Sequence, residues 1–315
     1  MWPLMSLFGG LNDELFTTLL ELNVRFIAIV GTTAAGKTDL ALGLAERFNG
    51  EIVCADSRTI YRGMDIGTAK PTPEERARVP HHLLDVVDPG ERLNAATFKR
   101  LAEAAMRDIT ARGRVPFLVG GSGLYVDAVL FDYQFPAEAD AARRAQLEAM
   151  SDGELRELLA AEDPAAYERV DLANRRRVVR AIETAGQDRG RRREMRDGTL
   201  ALGLRTNKEI AQKRITQRVQ KMLAEGFLDE VARIGAQYGW DSEAFNVIGY
   251  RAFKDVILGT KTVEEGVADF VRGDMMLWKK QLTWFKRNPA IRWLEGESGE
   301  VRLKEVELLV RDFLT

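Results

Sequence analysis

The stretch Phe26-Ile-Ala-Ile-Val30-Gly31-Thr-Thr-Ala-Ala-Gly36-Lys37-Thr38 decides the fold. An apolar run from Phe26 to Val30 that ends in Gly31 fits a buried strand, and Leu40, Leu44 and Phe48 then recur at helical spacing until Gly50. Between them Gly31, Thr32, Thr33, Ala34, Ala35, Gly36, Lys37 and Thr38 spell G-x-x-x-x-G-K-T. This is the strand–loop–helix setting that a phosphate-binding loop requires. Backbone N–H groups turn inward there around a phosphate, and the helix N-terminus adds positive potential. Lys37 is expected on the terminal phosphate oxygens and the Thr38 hydroxyl on Mg2+. The pattern implies a magnesium-bound di- or triphosphate without saying which.

Outward from this loop the β-α alternation continues. Glu51 to Ala55 reads as a second strand. Asn94 can cap a helix carrying Phe98, Leu101, Ala105 and Ile109, ended by Gly113. Val115 to Val119 is another buried strand, followed by Gly120-Gly121. Such alternation predicts a parallel sheet wrapped by helices. Upstream, Asn12 to Leu22 reads as a short amphipathic helix. From about Ala139 to Gly186 the pattern is helical and highly charged, and Ala201 to Leu204 returns to the sheet. Helices follow: one holds Ile210, Ile215, Val219 and Met222 and ends at Gly226, and another opens with the capping box Thr262-Val-Glu-Glu265 and continues toward Arg287. The expected class is α/β: a P-loop NTPase-like parallel sheet core with a helical insert and a helical C-terminal half. Its parts are an extension over 1–24, a core over 25–138 and 200–315, and an insertion over 139–199.

Composition narrows the function. The 315 residues suggest about two domains. The single cysteine, Cys54, with His81 and His82, excludes a disulfide framework and a Cys/His zinc module. No apolar run reaches the roughly 20 residues needed to cross a bilayer. No membrane association is therefore expected, and without a leader pattern at the N-terminus the expected location is cytoplasmic. The net charge of −2 argues against a uniformly basic coat, yet it hides segregation. Glu138 to Glu168 holds nine acids against three bases; Arg169 to Asp197 holds ten arginines against five acids; Arg272 to Arg292 holds six bases against one acid, interleaved with Trp278, Trp284 and Phe285. A basic run is most simply a solvated helix face. Two of them on a nearly neutral chain favour an anionic partner that touches part of the surface.

The second strand ends in Asp56, followed by Ser57. Ligands of α/β sheets sit beyond the carboxyl ends of the strands, so Asp56 should face the phosphate pocket. It could hold Mg2+ through water, act as general base for an acceptor, or simply cap a helix. The third strand runs into Gly120-Gly121-Ser122-Gly123, a hydroxyl among glycines suited to close approach to an anion.

Several segments together resemble one family. Asp56-Ser-Arg-Thr-Ile-Tyr61-Arg62-Gly63-Met-Asp65-Ile-Gly67-Thr68-Ala-Lys70-Pro71 resembles the signature loop of tRNA dimethylallyltransferases, also called tRNA isopentenyltransferases. Pro80-His81-His82-Leu-Leu-Asp85, Asp88-Pro89, Gly120-Gly-Ser-Gly-Leu-Tyr125, Ile248-Gly249-Tyr250 and Lys280-Gln281-Leu-Thr283-Trp284-Phe285 match in the family's order, over about Phe26 to Leu294. The resemblance implies transfer of a five-carbon prenyl group from dimethylallyl diphosphate to N6 of the adenosine 3′ to the anticodon, in tRNAs reading codons that begin with U. It makes Asp56 the general base and places Ser122, where the family has threonine, near the diphosphate and the reacting amine. Arg218 matches an arginine that clamps the diphosphate. The segments Asp56, Ser57, Arg58, Thr59; Arg176, Arg177, Arg180; and Asn246, Gly249, Tyr250, Arg251 match tRNA-contacting segments, with Arg144 as a weaker addition. Lys280, Gln281 and Trp284 lie in the aromatic-basic run that would grip the anticodon arm, although Trp284 also reads as a core residue. The histidines after Pro80 read as structural. The expected partners are therefore tRNA, through its anticodon stem-loop, and dimethylallyl diphosphate, with Mg2+ as cofactor and a monomeric chain.

Thr32 stands where the family has proline, Ala35 where it has serine and Thr59 where many members have glutamine. Met275-Met276-Leu277-Trp278 replaces a more polar, arginine-containing stretch, and the segment from Ile182 to Leu200 is short. The missing zinc-finger extension points to a bacterial-type enzyme. The residues leave three other readings: a P-loop small-molecule or nucleotide kinase, a prenyltransferase acting on free adenine nucleotide, and a noncatalytic RNA-binding protein. The kinase reading gives the two basic runs no role; the long helical second half argues for a macromolecular acceptor; intact Lys37, Thr38 and Asp56 speak against lost catalysis.

Overall fold

The computed structural model describes residues 24–135, 141–185, 194–294 and 299–315. The helix expected over Asn12 to Leu22, and most of the arginine cluster from Arg189 to Arg196, lie outside them. The strands are β1 (Phe26–Gly31), β2 (Gly50–Cys54), β3 (His81–His82), β4 (Val115–Gly120), β5 (Thr199–Leu204) and β6 (Arg292–Leu294). The helices are α1 (Lys37–Arg47), α2 (Pro73–Arg78), α3 (Ala95–Ala111), α4 (Gly123–Leu130), α5 (Ala141–Ala149), α6 (Asp152–Glu162), α7 (Pro164–Tyr167), α8 (Arg175–Glu183), α9 (Lys208–Ala224), α10 (Phe227–Tyr238), α11 (Ile248–Ile257), α12 (Val263–Phe285) and α13 (Gly299–Leu314).

All six strands pair in parallel, in the order β3-β2-β4-β1-β5-β6. Their residues explain why: β1 and β2 are buried throughout, as strands covered on both faces must be. The chain leaves β1, crosses over α1 and enters β2 two places away, and β4 later fills the gap between them. That order brings the carboxyl ends of β1, β4 and β2 side by side. The ends are stitched together: Ala55 N donates to Val119 O at 2.7 Å and Ser122 N to Ala55 O at 3.2 Å. Gly31 and Gly120 are glycine by necessity, because a Cβ would stand 1.9 Å from Leu204 O at the first and 2.0 Å from Ala55 O at the second. The expectation of a helical C-terminal half needs one addition: β6 extends the sheet from within it.

Two compact units divide the chain, one running through Leu130 and resuming at Glu194, the other spanning Phe131–Arg193. In the first, a core of Ile27, Ile29, Leu44, Ile52 and Phe117 joins α1 to the sheet, and Val306 and Val310 of α13 pack into it. A second core, around Phe227, Tyr250, Phe253 and Phe270, holds α9 to α12 against the Ile60–Met64 segment. The other unit holds helices and no strand among its described residues. Its core is Leu147, Leu155, Leu159, Val178, Val179 and Ile182. Helix α6 carries a full capping box between Ser151 and Glu154, and Asn174 caps α8.

Candidate active site

The loop from Gly31 to Thr38 joins β1 to α1 as its sequence requires. Gly36 occupies the left-handed region (φ 81°), and so does Ala34 (φ 60°), an uncommon state for alanine that turns successive N–H groups toward one side. In this state Lys37 Nζ donates to Thr32 O at 2.7 Å, folding the side chain back over its own loop. Burial pushes the Lys37 ammonium down to about 8; the Asp56 charge raises it again in part, and Arg218 lowers it. A lysine whose charge is strained by burial gains by meeting an anion.

Other elements brace the loop. Gln281, on α12, accepts from Thr33 N at 2.7 Å and donates from Nε2 to Gly121 O at 3.0 Å, so one buried amide ties the β1 loop to the β4 turn. Arg214 Nη1 donates to Ala34 O at 3.0 Å. Arg218 Nη2 donates to Thr33 Oγ1 at 3.2 Å and to Asp274 Oδ2 at 2.5 Å. Asp274 is fully buried and also accepts from Arg58 Nη1 at 3.1 Å.

Asp56 follows β2 and accepts from Arg58 N at 2.8 Å through Oδ1, a local turn that fixes its carboxylate. It lines the same cavity, of about 370 Å3, as Thr33 to Thr38 and Arg218. It also lines a second cavity, of about 340 Å3, bordered by Ser57, Ser122, Lys280, Gln281 and Trp284. Asp56, Arg58, Leu277 and Gln281 belong to both walls. No wall separates the carboxylate from the anion cradle. Ser122 Oγ accepts from Ser57 N at 2.8 Å and donates to Ser57 Oγ at 3.1 Å.

The loop that carries Asp56 is anchored from below by Glu230, which the sequence did not single out, and by its own Lys70. Glu230 of α10 accepts the N–H groups of Asp65, Ile66 and Gly67 at 2.9, 3.0 and 2.9 Å and the Tyr250 hydroxyl at 2.5 Å. Lys70, buried, donates to Tyr61 O, Asp65 and Asp85 at 2.7, 2.6 and 2.7 Å. A buried charge is stable only when paired in this way. Acid–base complementarity within the loop was the available signal for Lys70; Glu230, some 165 residues from Asp65, had none.

The expected tRNA contacts separate into two sets. Ser57, Lys280, Asn246 and Arg251 are exposed, as are Arg144, Arg176 and Arg177 on the other unit. Arg144 and Arg180 both pair with Glu183, which sets their guanidinium groups on one acid. Four others are buried. Tyr250 has no exposed surface, and burial raises its hydroxyl well above the ordinary range. Gly249 is buried, and a Cβ there would stand 2.7 Å from Phe270; these two form the packing beneath the loop, not a surface for RNA. Gln281 is an internal brace. Thr59 is buried in the wall of the P-loop cavity, its hydroxyl without a partner. Trp284 stays partly exposed beside the second cavity, its indole N–H donating to Asp127 at 2.8 Å. His82 Nε2 donates to Glu51 at 2.6 Å, at the sheet rather than the site; His81 lines the P-loop cavity, and burial lowers its pKa.

Among the described residues no cluster of three His, Cys, Asp or Glu side chains could cage a metal ion. The available donor is the Thr38 hydroxyl in the cavity wall. A single hydroxyl suits Mg2+, which keeps few protein ligands beside a phosphate.

Fold and site thus define a P-loop transferase in which an anion cradle opens toward a carboxylate at the end of a strand two places away. A family model described as IPP transferase matches residues 59–288. The chain belongs to the IPP transferase family. It is 41% identical over 303 residues to a tRNA dimethylallyltransferase of Roseiflexus sp. (strain RS-1), covering 92% of this chain and 99% of that one. A tRNA dimethylallyltransferase of Geobacter sulfurreducens is likewise 41% identical, over 86% of this chain and 92% of its own. The crystal structure of a tRNA isopentenylpyrophosphate transferase from Bacillus halodurans superposes with a TM-score of 0.72 at 36% identity, covering 93% and 97% of the two chains. A eukaryotic dimethylallyltransferase acting on tRNA gives 0.76 at 26% identity, over 85% of this chain and 73% of that one. Among the described residues no helix is long and apolar enough to cross a membrane.

Proposed function

We propose that this chain transfers the dimethylallyl group of dimethylallyl diphosphate to N6 of the adenosine 3′-adjacent to the anticodon (position 37 of the tRNA), in tRNAs reading codons that begin with U. The observation that carries this reading is Asp56, which borders the anion cradle on one side and a second cavity on the other. The diphosphate lies against the N–H groups of the P-loop, with Lys37 and Arg218 on its oxygens. The extruded adenine enters from the side of Ser57, Ser122 and Trp284, since a base in a loop must leave its stack to react.

The bond between the allylic carbon and the bridging oxygen breaks, and its electron pair leaves with the diphosphate. The N6 lone pair forms the new carbon–nitrogen bond, and the N6 proton passes to the Asp56 carboxylate. Fixed cations on the leaving oxygens stabilise charge that develops only as the bond breaks, a contribution of a few kcal/mol per contact. Proton removal by a positioned carboxylate adds on the order of 10²–10⁴-fold. The Thr38 hydroxyl would help to hold Mg2+, which would add neutralisation of the diphosphate. Arg144, Arg176, Arg177 and Arg180 supply phosphate contacts on the helical unit, and Lys280 and Arg251 supply them on the other.

The test is incubation of the full chain with Mg2+, dimethylallyl diphosphate and an unmodified tRNA with adenosines at positions 36 to 38, followed by nuclease digestion and mass spectrometry. One dimethylallyl group on the nucleoside from position 37 is expected. Equal product on free AMP points to a nucleotide acceptor, and ATP turnover without prenylated product points to a kinase; either overturns the reading.

A further inference from the structure

Asp274 lies on α12 between Phe270 and Leu277, and its carboxylate is buried. Such a group stays ionised only if its oxygens are satisfied by cations or donors. Both are. Oδ1 accepts from Arg58 at 3.1 Å and Oδ2 from Arg218 at 2.5 Å. The two arginines come from opposite halves of the site. Arg58 stands two residues after Asp56, and its own amide holds that carboxylate. Arg218 comes from α9, and the nitrogen that meets Asp274 also meets Thr33 of the P-loop. Two guanidinium groups this close repel each other, and the carboxylate between them removes that cost. Held before the ligand arrives, a clamp needs little reorganisation when charge develops.

We infer that Asp274 is a positioning residue for transfer: one buried carboxylate sets both the diphosphate clamp, through Arg218, and the base-bearing loop, through Arg58. For its effect on rate the inference rests on the transfer reaction proposed above; for its effect on anion binding it does not.

The test is a double-mutant cycle in the full chain, read as the affinity for inorganic pyrophosphate with Mg2+ by calorimetry and as donor kcat/KM. Asp274→Asn keeps the shape and removes the charge. Alone it is expected to lower pyrophosphate affinity at least tenfold. In an Arg218→Gln background the same change should cost less than twofold, because no clamp is left to hold. An equal loss in both backgrounds, the mark of a merely structural role, overturns the inference, as does a single variant within twofold of the wild type. Should Asp274→Asn not fold, Arg58→Met tests the link with Asp274 intact. The carboxylate then pairs with Arg218 alone and draws it from Thr33, so donor KM should rise at least threefold; an unchanged KM overturns the inference. Pyrophosphate affinity is read without turnover. A chain that transfers nothing to tRNA therefore overturns the reaction, while the cycle still decides the role of Asp274.

Discussion

The Ser57 amide donates to the Ser122 hydroxyl at 2.8 Å, a bond that joins the loop after β2 to the turn after β4 across neighbouring strand ends. The hydroxyl acts here first as a strut. It fixes the backbone beside Asp56, and through it the edge of the second cavity. Ser122→Ala removes the acceptor and leaves Ser57 N to water, so transfer should slow by roughly ten- to hundredfold with pyrophosphate affinity unchanged. Ser122→Thr keeps the oxygen and should stay within a few-fold of the wild type. Equal losses in the two variants, measured by single-turnover transfer, would exclude the strut.

Donor binding should depend on pH through Lys37. Burial lowers its ammonium to about 8 in the free protein, so above that pH a growing fraction is neutral. An anion in the cradle favours the charged form. Binding must then take up protons, and donor affinity must fall as pH rises past 8, by at most about tenfold per pH unit. Titration calorimetry in two buffers of different ionisation enthalpy, between about pH 7 and 9.5, measures the uptake. Proton-neutral binding and a flat donor KM across that range would rule it out.

Glu230 should matter more than its distance from the chemistry suggests. Its carboxylate collects three backbone N–H groups and a hydroxyl beneath the Asp65–Gly67 turn. Glu230→Gln turns an amide N–H2 toward donors, leaving buried groups unpaired at a cost on the order of 2–4 kcal/mol. The KM for tRNA should rise with the loss of loop geometry. An unchanged urea midpoint would show the turn to be held elsewhere.

A second buried acid sets stability instead of activity. Hydrogen bonds from the Arg112 guanidinium, with a further one from His82, hold the Glu51 carboxyl at about 2, well below its ordinary 4.5. A depressed acid stabilises the fold above its unfolded pKa and loses that contribution as pH falls through the folded one. Glu51→Gln should therefore cost on the order of 2–3 kcal/mol at neutral pH, and the gap should close between about pH 4.5 and 2. Urea unfolding at pH 7 and at pH 3 measures it; a gap that does not narrow with acid would remove the ion cluster as its cause.

The parts of this molecule that follow local rules could be read from sequence. The run Phe26–Val30 became a buried strand, Asn94 capped α3, and Thr262 with Glu265 closed a capping box on α12. The P-loop was legible for the same reason, since its chemistry is contiguous. Strands β3 and β6 were not, because two and three residues carry no period and His81-His82 is polar. Tyr250 and Gln281 show a different limit. A motif marks a residue as tied to the site without telling whether it faces the ligand or braces what does. Asp274 was illegible because its meaning lies in Arg58 and Arg218, 216 and 56 residues away.

The central claim is that Asp56 takes a proton beside an anion cradle it does not help to build. Asp56→Asn in the full chain, measured by rapid-quench single-turnover transfer alongside pyrophosphate titration with Mg2+, tests it most directly. Pyrophosphate affinity should stay within about threefold of the wild type while transfer falls on the order of 10²–10⁴-fold. Loss of pyrophosphate binding, which would make Asp56 a metal-holding group, or transfer at an undiminished rate would contradict the account.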